Sequence, residues 1–223
     1  MTGPRVELYS DQIDELVSRV ESQCNRDGSA RYLISLAGVP GAGKTTFAKE
    51  VATKLNKIAK TEVLSQDGFH LYRAELESMP NPAEAIRRRG APFTFNARAF
   101  VDLVSCLRDK SQQVSAPSFD HKLKDPVEND IVIGTDVSIV IIEGNYVSLR
   151  DKVWQEISSL VDDTWFITTP EQLVRSRIIK RHLDAGIAQT EEEASARADG
   201  SDLENAKYIL DNSRTTNVLI ITR

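Results

Sequence analysis

Eight residues, Gly38-Val39-Pro40-Gly41-Ala42-Gly43-Lys44-Thr45, restrict what this chain can fold into more than any other stretch. They fit the pattern G-x-x-x-x-G-K-[ST], in which a backbone turn wraps an anion. Residues 32–37 before it are almost wholly apolar and read as a buried strand. Phe47, Ala48, Val51, Ala52 and Leu55 after it recur at helical spacing. Strand, glycine turn and helix together aim free N–H groups and a positive helix end at one point. At the glycines a Cβ would clash or forbid the dihedrals. A nucleotide's phosphates are therefore expected along Gly38, Val39, Pro40, Gly41, Ala42, Gly43, Lys44, Thr45 and Thr46. Lys44 would neutralise β/γ-phosphate charge, and the Thr45 hydroxyl would face Mg²⁺. An ordinary glycine-rich turn with a surface lysine is the bland alternative.

A strand–turn–helix unit needs a sheet around it, and 223 residues suit one α/β domain carrying a lid. A composition of 40% hydrophobic and 27% charged residues suits a soluble globular chain. With 28 Lys and Arg against 33 Asp and Glu, the net charge of −5 speaks against a nucleic-acid partner. Cys24 and Cys106 lack C-x-x-C spacing, so buried free thiols in a reducing compartment are expected. His70, His121 and His182 stand too far apart for metal-ligand spacing. No apolar run reaches membrane-spanning length and no signal-peptide core opens the chain, so the cytoplasm is the expectation and a membrane is not.

Along the chain, residues 11–24 form an amphipathic pattern with Ser10 as candidate N-cap. The Asn25-Arg26-Asp27-Gly28-Ser29 stretch ends it. Residues 61–65 read as a strand that runs into Asp67-Gly68. Ligands of parallel sheets bind beyond the carboxyl ends of strands, so Asp67 could take a proton from an attacking hydroxyl. Asp-Gly is equally a turn dipeptide. Asn81-Pro82-Ala83-Glu84 starts a helix, which leads into Arg87, Arg88 and Arg89. Three consecutive arginines cannot share one helix face, so one is expected to be free for an anion; a solvated charge run is the alternative. Asn96 caps the next helix. Residues 114–126 read as an edge hairpin, because two prolines exclude a central strand.

Residues 137–142 are the most apolar run and end abruptly at Glu143. An acid there could organise Mg²⁺, more naturally through a water than directly, or else cap a following helix. A helix near 153–160 and a strand at 164–168 follow. Thr169-Pro170-Glu171-Gln172 reads as a capping box opening a helix that Gly186 ends. Arg177 and Arg181, four apart on it, share one face and could stabilise charge on a transferring phosphoryl group; an exposed basic face is the alternative. Two further capping boxes, at 190–193 and 201–204, open short helices, and residues 217–221 make the fifth strand. The βαβα alternation implies an α/β fold with a doubly wound parallel sheet.

Taken together, these segments resemble the uridine kinase/phosphoribulokinase/pantothenate kinase superfamily of P-loop kinases. The likeness is strongest to its fungal uridine-kinase-like branch, with bacterial sugar-kinase relatives. It covers roughly residues 31–222 and rests on the phosphate loop, Asp-Gly-Phe-His (67–70), Arg-Arg-Gly-Ala-Pro-Phe-Thr-Phe (88–95), Pro-Ser-Phe-Asp-His (117–121), Glu-Gly-Asn-Tyr (143–146) and Ser-Asp-Leu-Glu-Asn-Ala (201–206). The resemblance implies a P-loop NTPase three-layer sandwich: a five-stranded parallel sheet with helices on both faces, a helical lid at about 171–200 and an edge hairpin. Substrate segments are implied at about 67–96 and 114–127. It further implies an ATP- and Mg²⁺-dependent kinase acting on a hydroxyl of a small metabolite, such as uridine or a sugar. Asp67 would be the base, Lys44, Arg177 and Arg181 would stabilise charge, and Thr45 with Glu143 would serve the metal. His70, Arg88, Phe93, Phe119, Asp120, His121 and Tyr146 would face the acceptor. Nucleoside kinases carry a substrate-contacting tyrosine where this chain has Phe119, which lacks the hydroxyl. A P-loop ATPase or switch with a protein partner at 87–89, and a non-catalytic nucleotide binder, are the competing functions.

Overall fold

A computed structural model describes residues 5–24, 30–120 and 122–223 of the chain. In chain order the elements are β1 (Val6–Tyr9), α1 (Ile13–Gln23), β2 (Tyr32–Gly38), α2 (Lys44–Leu55), β3 (Thr61–Ser65) and a 3₁₀ turn (Gln66–Phe69). Next come α3 (Arg73–Glu77), α4 (Pro82–Arg87), α5 (Ala97–Cys106), β4 (Val114–Asp120), β5 (Asp125–Ile133) and β6 (Ile139–Gly144). The chain continues with α6 (Ile157–Leu160), β7 (Asp163–Thr168), α7 (Glu171–Asp184), α8 (Glu191–Arg197), a π-type turn (Ala198–Asp202), α9 (Leu203–Asn212) and β8 (Val218–Ile221).

The main sheet is parallel throughout, in the order β1-β8-β7-β2-β6-β3. β2 and β6 lie side by side and are buried along their whole length, as apolar strands covered on both faces must be. The strand order switches sides at β2, with β6 and β3 on one side and β7 and β8 on the other, and the parallel strands bring the carboxyl ends of β2, β3 and β6 to one edge.

Six strands stand where five were expected. The extra one, β1, pairs with β8 over four residues and buries only Leu8, too short a run for a period-2 signal to stand out. The hairpin differs too. β4 and β5 form a separate antiparallel sheet instead of an edge of the main one, with the register shifting across Pro117.

Asn81, Asn96 and Thr190 cap their helices as expected, each side-chain oxygen accepting the N–H three residues on. The other expected caps are overruled by tertiary partners. Gln12, not Ser10, precedes α1, and its side chain accepts from Tyr9 N–H; the Ser10 amide donates to Ile221 O beside the unforeseen strand. Pro170, not Thr169, precedes α7, and Asp202, not Ser201, precedes α9, with no side-chain cap at either. Of the cysteines, Cys24 is half-buried, whereas Cys106 at the end of α5 is exposed, contrary to the buried thiols expected. The 25–29 stretch lies outside the described residues. Among those residues no helix is long and apolar enough to cross a membrane.

Candidate active site

β2 delivers the chain to the crevice at Gly38, where a Cβ would lie 2.7 Å from Ile167 Cγ2 of β7. Gly41 and Gly43 follow with φ of 77° and 91°, in the left-handed region that glycine enters without strain. The Ala42 N–H donates to Val39 O (3.1 Å) and tightens the turn. Helix α2 begins at Lys44 with no side-chain cap and no acid in its first turn. Its positive end is therefore left for an anion from outside the chain, a cradle that fits phosphate. The Thr169 hydroxyl, which sequence assigned to a helix cap, donates instead to Ala42 O (3.1 Å) and braces the loop.

Lys44 is buried. Its ammonium donates to Val39 O (3.0 Å) and Asn145 Oδ1 (2.6 Å). Burial lowers its pKa to about 8, against the pull of Glu143 and Asp67, with Arg181 adding repulsion. One ammonium thus senses two acids and an arginine of α7 that lie 23 to 137 positions away.

Register explains the first acid. β6 pairs Glu143 with Ser65 of β3 and Leu36 of β2, so the carboxylate emerges beside the loop. The Thr45 hydroxyl donates to Glu143 Oε1 (2.9 Å), so Glu143 does not cap a helix. It is only 3% exposed. Burial pushes its carboxyl up and the Asp67 charge adds to this, opposed by Lys44 and by hydrogen bonds from Ser65 and Thr45. Asp67 sits on the 3₁₀ turn after β3, where Ser65 Oγ accepts its N–H (3.3 Å). Gly68 beside it is dictated by contact: a Cβ would lie 2.0 Å from Pro117 O of the hairpin.

A hydroxyl and two neighbouring carboxylates, one of them uncomfortable in its charged form, are hard oxygen donors of the kind Mg²⁺ takes. Among the described residues no group of three His, Cys, Asp or Glu could hold an ion by protein ligands alone. Mg²⁺ ordinarily uses one or two carboxylates and completes its shell with phosphate oxygens and water, so the residues present fit it.

α7 packs directly on the phosphate loop. A Cβ at Gly41 would lie 2.9 Å from Ile178 Cγ1 and 3.0 Å from Val174 O. This contact sets Arg177 over the loop, where Nη1 donates to Ala42 O (3.4 Å). Arg181, one turn on, lies 3.4 Å from Asp202 Oδ1. Gly186, with φ of 61°, follows the end of α7 as expected.

Among the residues expected to face the acceptor, His70 packs against two rings, with centroids 4.0 Å from Phe95 and 4.8 Å from Phe119. Its Nδ1 lies 2.8 Å from Asp67 O, so the aromatic group and the acid are held together. The Arg89 guanidinium lies over Phe119 at 5.6 Å. Tyr146 is fully buried; its phenol donates to Gly90 O and its N–H to Gln66 Oε1 (2.9 Å). Burial pushes the phenol up, Arg88 opposes this, and Asp67 and Asp202 add to it, so these groups surround one ring. Phe93 is 50% exposed. Asp120 Oδ1 accepts from the Lys122 and Leu123 N–H groups and so shapes the hairpin turn. Phe119 and Asp120 also line an open depression of about 530 Å³ along the hairpin, away from Lys44. His121 lies outside the described residues.

Each member of the arginine run already has a carboxylate partner: Arg87 with Glu84, Arg88 with Glu204 and Arg89 with Asp125. The expectation of one free cation is not met, because the chain folds an acid against each. Sequence reasoning missed Asn145, Gln66, Thr169 and Asp202 as site-shaping residues. Asn145 stood two positions from a singled-out acid, whereas Thr169 and Asp202 were hidden inside capping patterns.

Residues 33–191 match the profile described as the Phosphoribulokinase / Uridine kinase family. The chain is 43% identical over 150 residues to the ATP-dependent kinase-like protein notR' of Aspergillus versicolor, covering 66% of this chain and 87% of that one. A Schizosaccharomyces pombe protein that carries a uridine kinase name, C227.14, is 34% identical over 98% of this chain and 92% of its own. A crystal structure from Silicibacter sp. TM1040, of a protein that carries the name of a fructose transport system kinase, superposes with a TM-score of 0.85. It is 29% identical and is covered over 93% of this chain and 98% of its own.

Proposed function

We propose a specific chemistry for this chain, which belongs to the phosphoribulokinase / uridine kinase family and is therefore a kinase with a hydroxyl acceptor. ATP lies along residues 38–46, and the acceptor is a small hydroxylated metabolite, a nucleoside or a sugar. The acceptor sits between Asp67, the arginine-bearing segment at 87–96 and the hairpin. Asp67 takes the proton of the acceptor hydroxyl as that oxygen bonds to the γ-phosphorus. The bond from the γ-phosphorus to the bridging oxygen breaks, and its electron pair leaves with ADP. Lys44, Arg177 and Arg181 stabilise the charge on the oxygens being exchanged. Mg²⁺, held near Thr45 and Glu143, would supply further charge neutralisation at the phosphates. We read residues 1–223 as a single kinase domain, with residues 171–200 forming its lid.

The observation that carries this proposal is the geometry around Lys44: its buried ammonium is held by Val39 O and Asn145 Oδ1 at the uncapped start of α2, and the next residue, Thr45, bonds Glu143. The ATPase-switch alternative gains nothing from the arginine run, because its three members are already paired within the chain. The relatives' names differ, a uridine kinase for one and a fructose transport system kinase for another, so the acceptor is a matter for experiment.

ADP release is to be followed over a panel of nucleosides, hexoses, pantothenate and glycerate. Acceleration by one metabolite is the expected result; acceleration by none of them, with stimulation only by a protein, would favour the switch. Asp67→Asn should keep ATP affinity while losing phosphoryl transfer by about 10²-fold or more. Loss of ATP affinity instead would make Asp67 a metal or structural group.

A further inference from the structure

We infer that Asp202 is a positioning residue for Arg181, restraining that arginine on α7 before substrate arrives. This deepens the proposed function and rests on the charge-stabilising role given there to Arg181. Asp202 closes the π-type turn in helical conformation (φ −71°, ψ −43°) and makes no side-chain bond to the first turn of α9. The carboxylate turns to α7 instead. Its Oδ2 lies 2.8 Å from His182 Nε2, and its Oδ1 lies 3.4 Å from Arg181 Nη2. A carboxylate only accepts, so Nε2 carries the proton and the buried imidazole pins one oxygen. The other oxygen is thereby aimed at the arginine.

The frame that holds this pair is itself tied to the phosphate site. α7 meets the loop through Val174 and Ile178 at Gly41, leaving no room for a side chain there. Arg181 is close enough to the site to repel the Lys44 ammonium. The same short stretch holds the second cation of the crevice: Glu204 Oε2 lies 2.9 Å from Arg88 Nη1, and Asn205 Oδ1 accepts from Arg88 Nη2 (3.3 Å). Residues 202–205 thus space one cation on the nucleotide side and one on the acceptor side. Tyr146 donates its phenol to Gly90 O, two positions along the chain from Arg88. A long arginine loses much rotamer freedom when it engages a phosphoryl group, and a prior contact removes part of that loss before the reaction.

A double-mutant cycle tests this, using wild type, Asp202→Asn, Arg181→Ala and the double variant. Each is read by single-turnover γ-phosphate release from MgATP, ATP affinity and thermal melting. Asp202→Asn should slow turnover about tenfold or more while ATP affinity stays within about twofold, as expected for lost orientation. In the Arg181→Ala background the same substitution should change nothing. If the two losses multiply, Asp202 does not act through Arg181 and the inference fails while the kinase chemistry stands. If Arg181→Ala alone leaves turnover unchanged, the assigned role of Arg181 fails, and this inference with it. Should Asp202→Asn not fold, Asp202→Glu takes its place in the cycle, because it keeps the charge and displaces it by one methylene.

Discussion

At Lys44, burial and charge pull in opposite directions, and the outcome sets a pH dependence. The free chain holds this ammonium at a pKa of about 8, below its ordinary value of 10.5, because desolvation outweighs the help of Glu143 and Asp67. Bound phosphate favours the charged form and raises the pKa. ATP binding measured without divalent cation should therefore weaken as pH rises through about 8, by up to about tenfold per pH unit until the pKa of the bound form is reached. The sign for folding is the reverse. Between pH 8 and 10.5 the unfolded chain holds a proton on Lys44 that the folded chain lacks, so this residue's contribution to stability rises with pH there. An ATP affinity that is flat from pH 7 to 9 by calorimetry would show that Lys44 keeps its ordinary pKa. Glu143 illustrates the same conflict in an acid: its buried carboxylate, raised by desolvation and by Asp67, is placed where a divalent cation would relieve it.

Among the elements, the hairpin and α7 are placed by missing side chains as much as by present ones. β4 rests its Pro117 carbonyl on Gly68, and α7 rests Ile178 on Gly41. In both places a glycine that reads as turn chemistry in sequence is also a docking surface in three dimensions. Gly68→Ala should force the hairpin off the 3₁₀ turn and cost about 1–3 kcal/mol, the usual range for overpacking. Urea unfolding reads the cost, and the KM for the acceptor should rise with it because His70 and Phe119 lose their mutual packing. A Gly68→Ala variant with unchanged stability would mean that the hairpin does not sit where the contact places it. The capping patterns carry a related lesson: Thr169, expected to cap α7, bonds the phosphate loop instead, and Asp202, inside the 201–204 pattern, turns its carboxylate to α7.

Over the whole molecule, the crevice is supported from its far end by Arg31. This residue is fully buried, and its guanidinium donates to four carbonyls, those of Leu107, Asp109, Gln112 and Gly134. It gathers the end of α5 and the loops on either side of the hairpin around the start of β2. Arg31→Met should cost about 3 kcal/mol or more, because the carbonyls stay buried without donors. The folded fraction should keep its ATP affinity, as Arg31 lies at the opposite end of β2 from the loop. A melting temperature unchanged from wild type would refute that role. The phosphate loop, the acid-bearing strand ends and the α/β class were legible in the sequence because local rules determine them: glycine dihedrals, apolar periodicity, and the placing of ligands beyond strand ends. The sequence alone also marked Lys44, Asp67, Glu143, Arg177 and Arg181 as one chemical set. Only the tertiary structure decided which carboxylate meets which arginine, that β1 completes the sheet, and that Asp202 serves α7 instead of its own helix. Those choices depend on contacts between residues far apart in the chain, where the free energy of a charge pair or a close packing contact outweighs a local cap, and no local pattern records them.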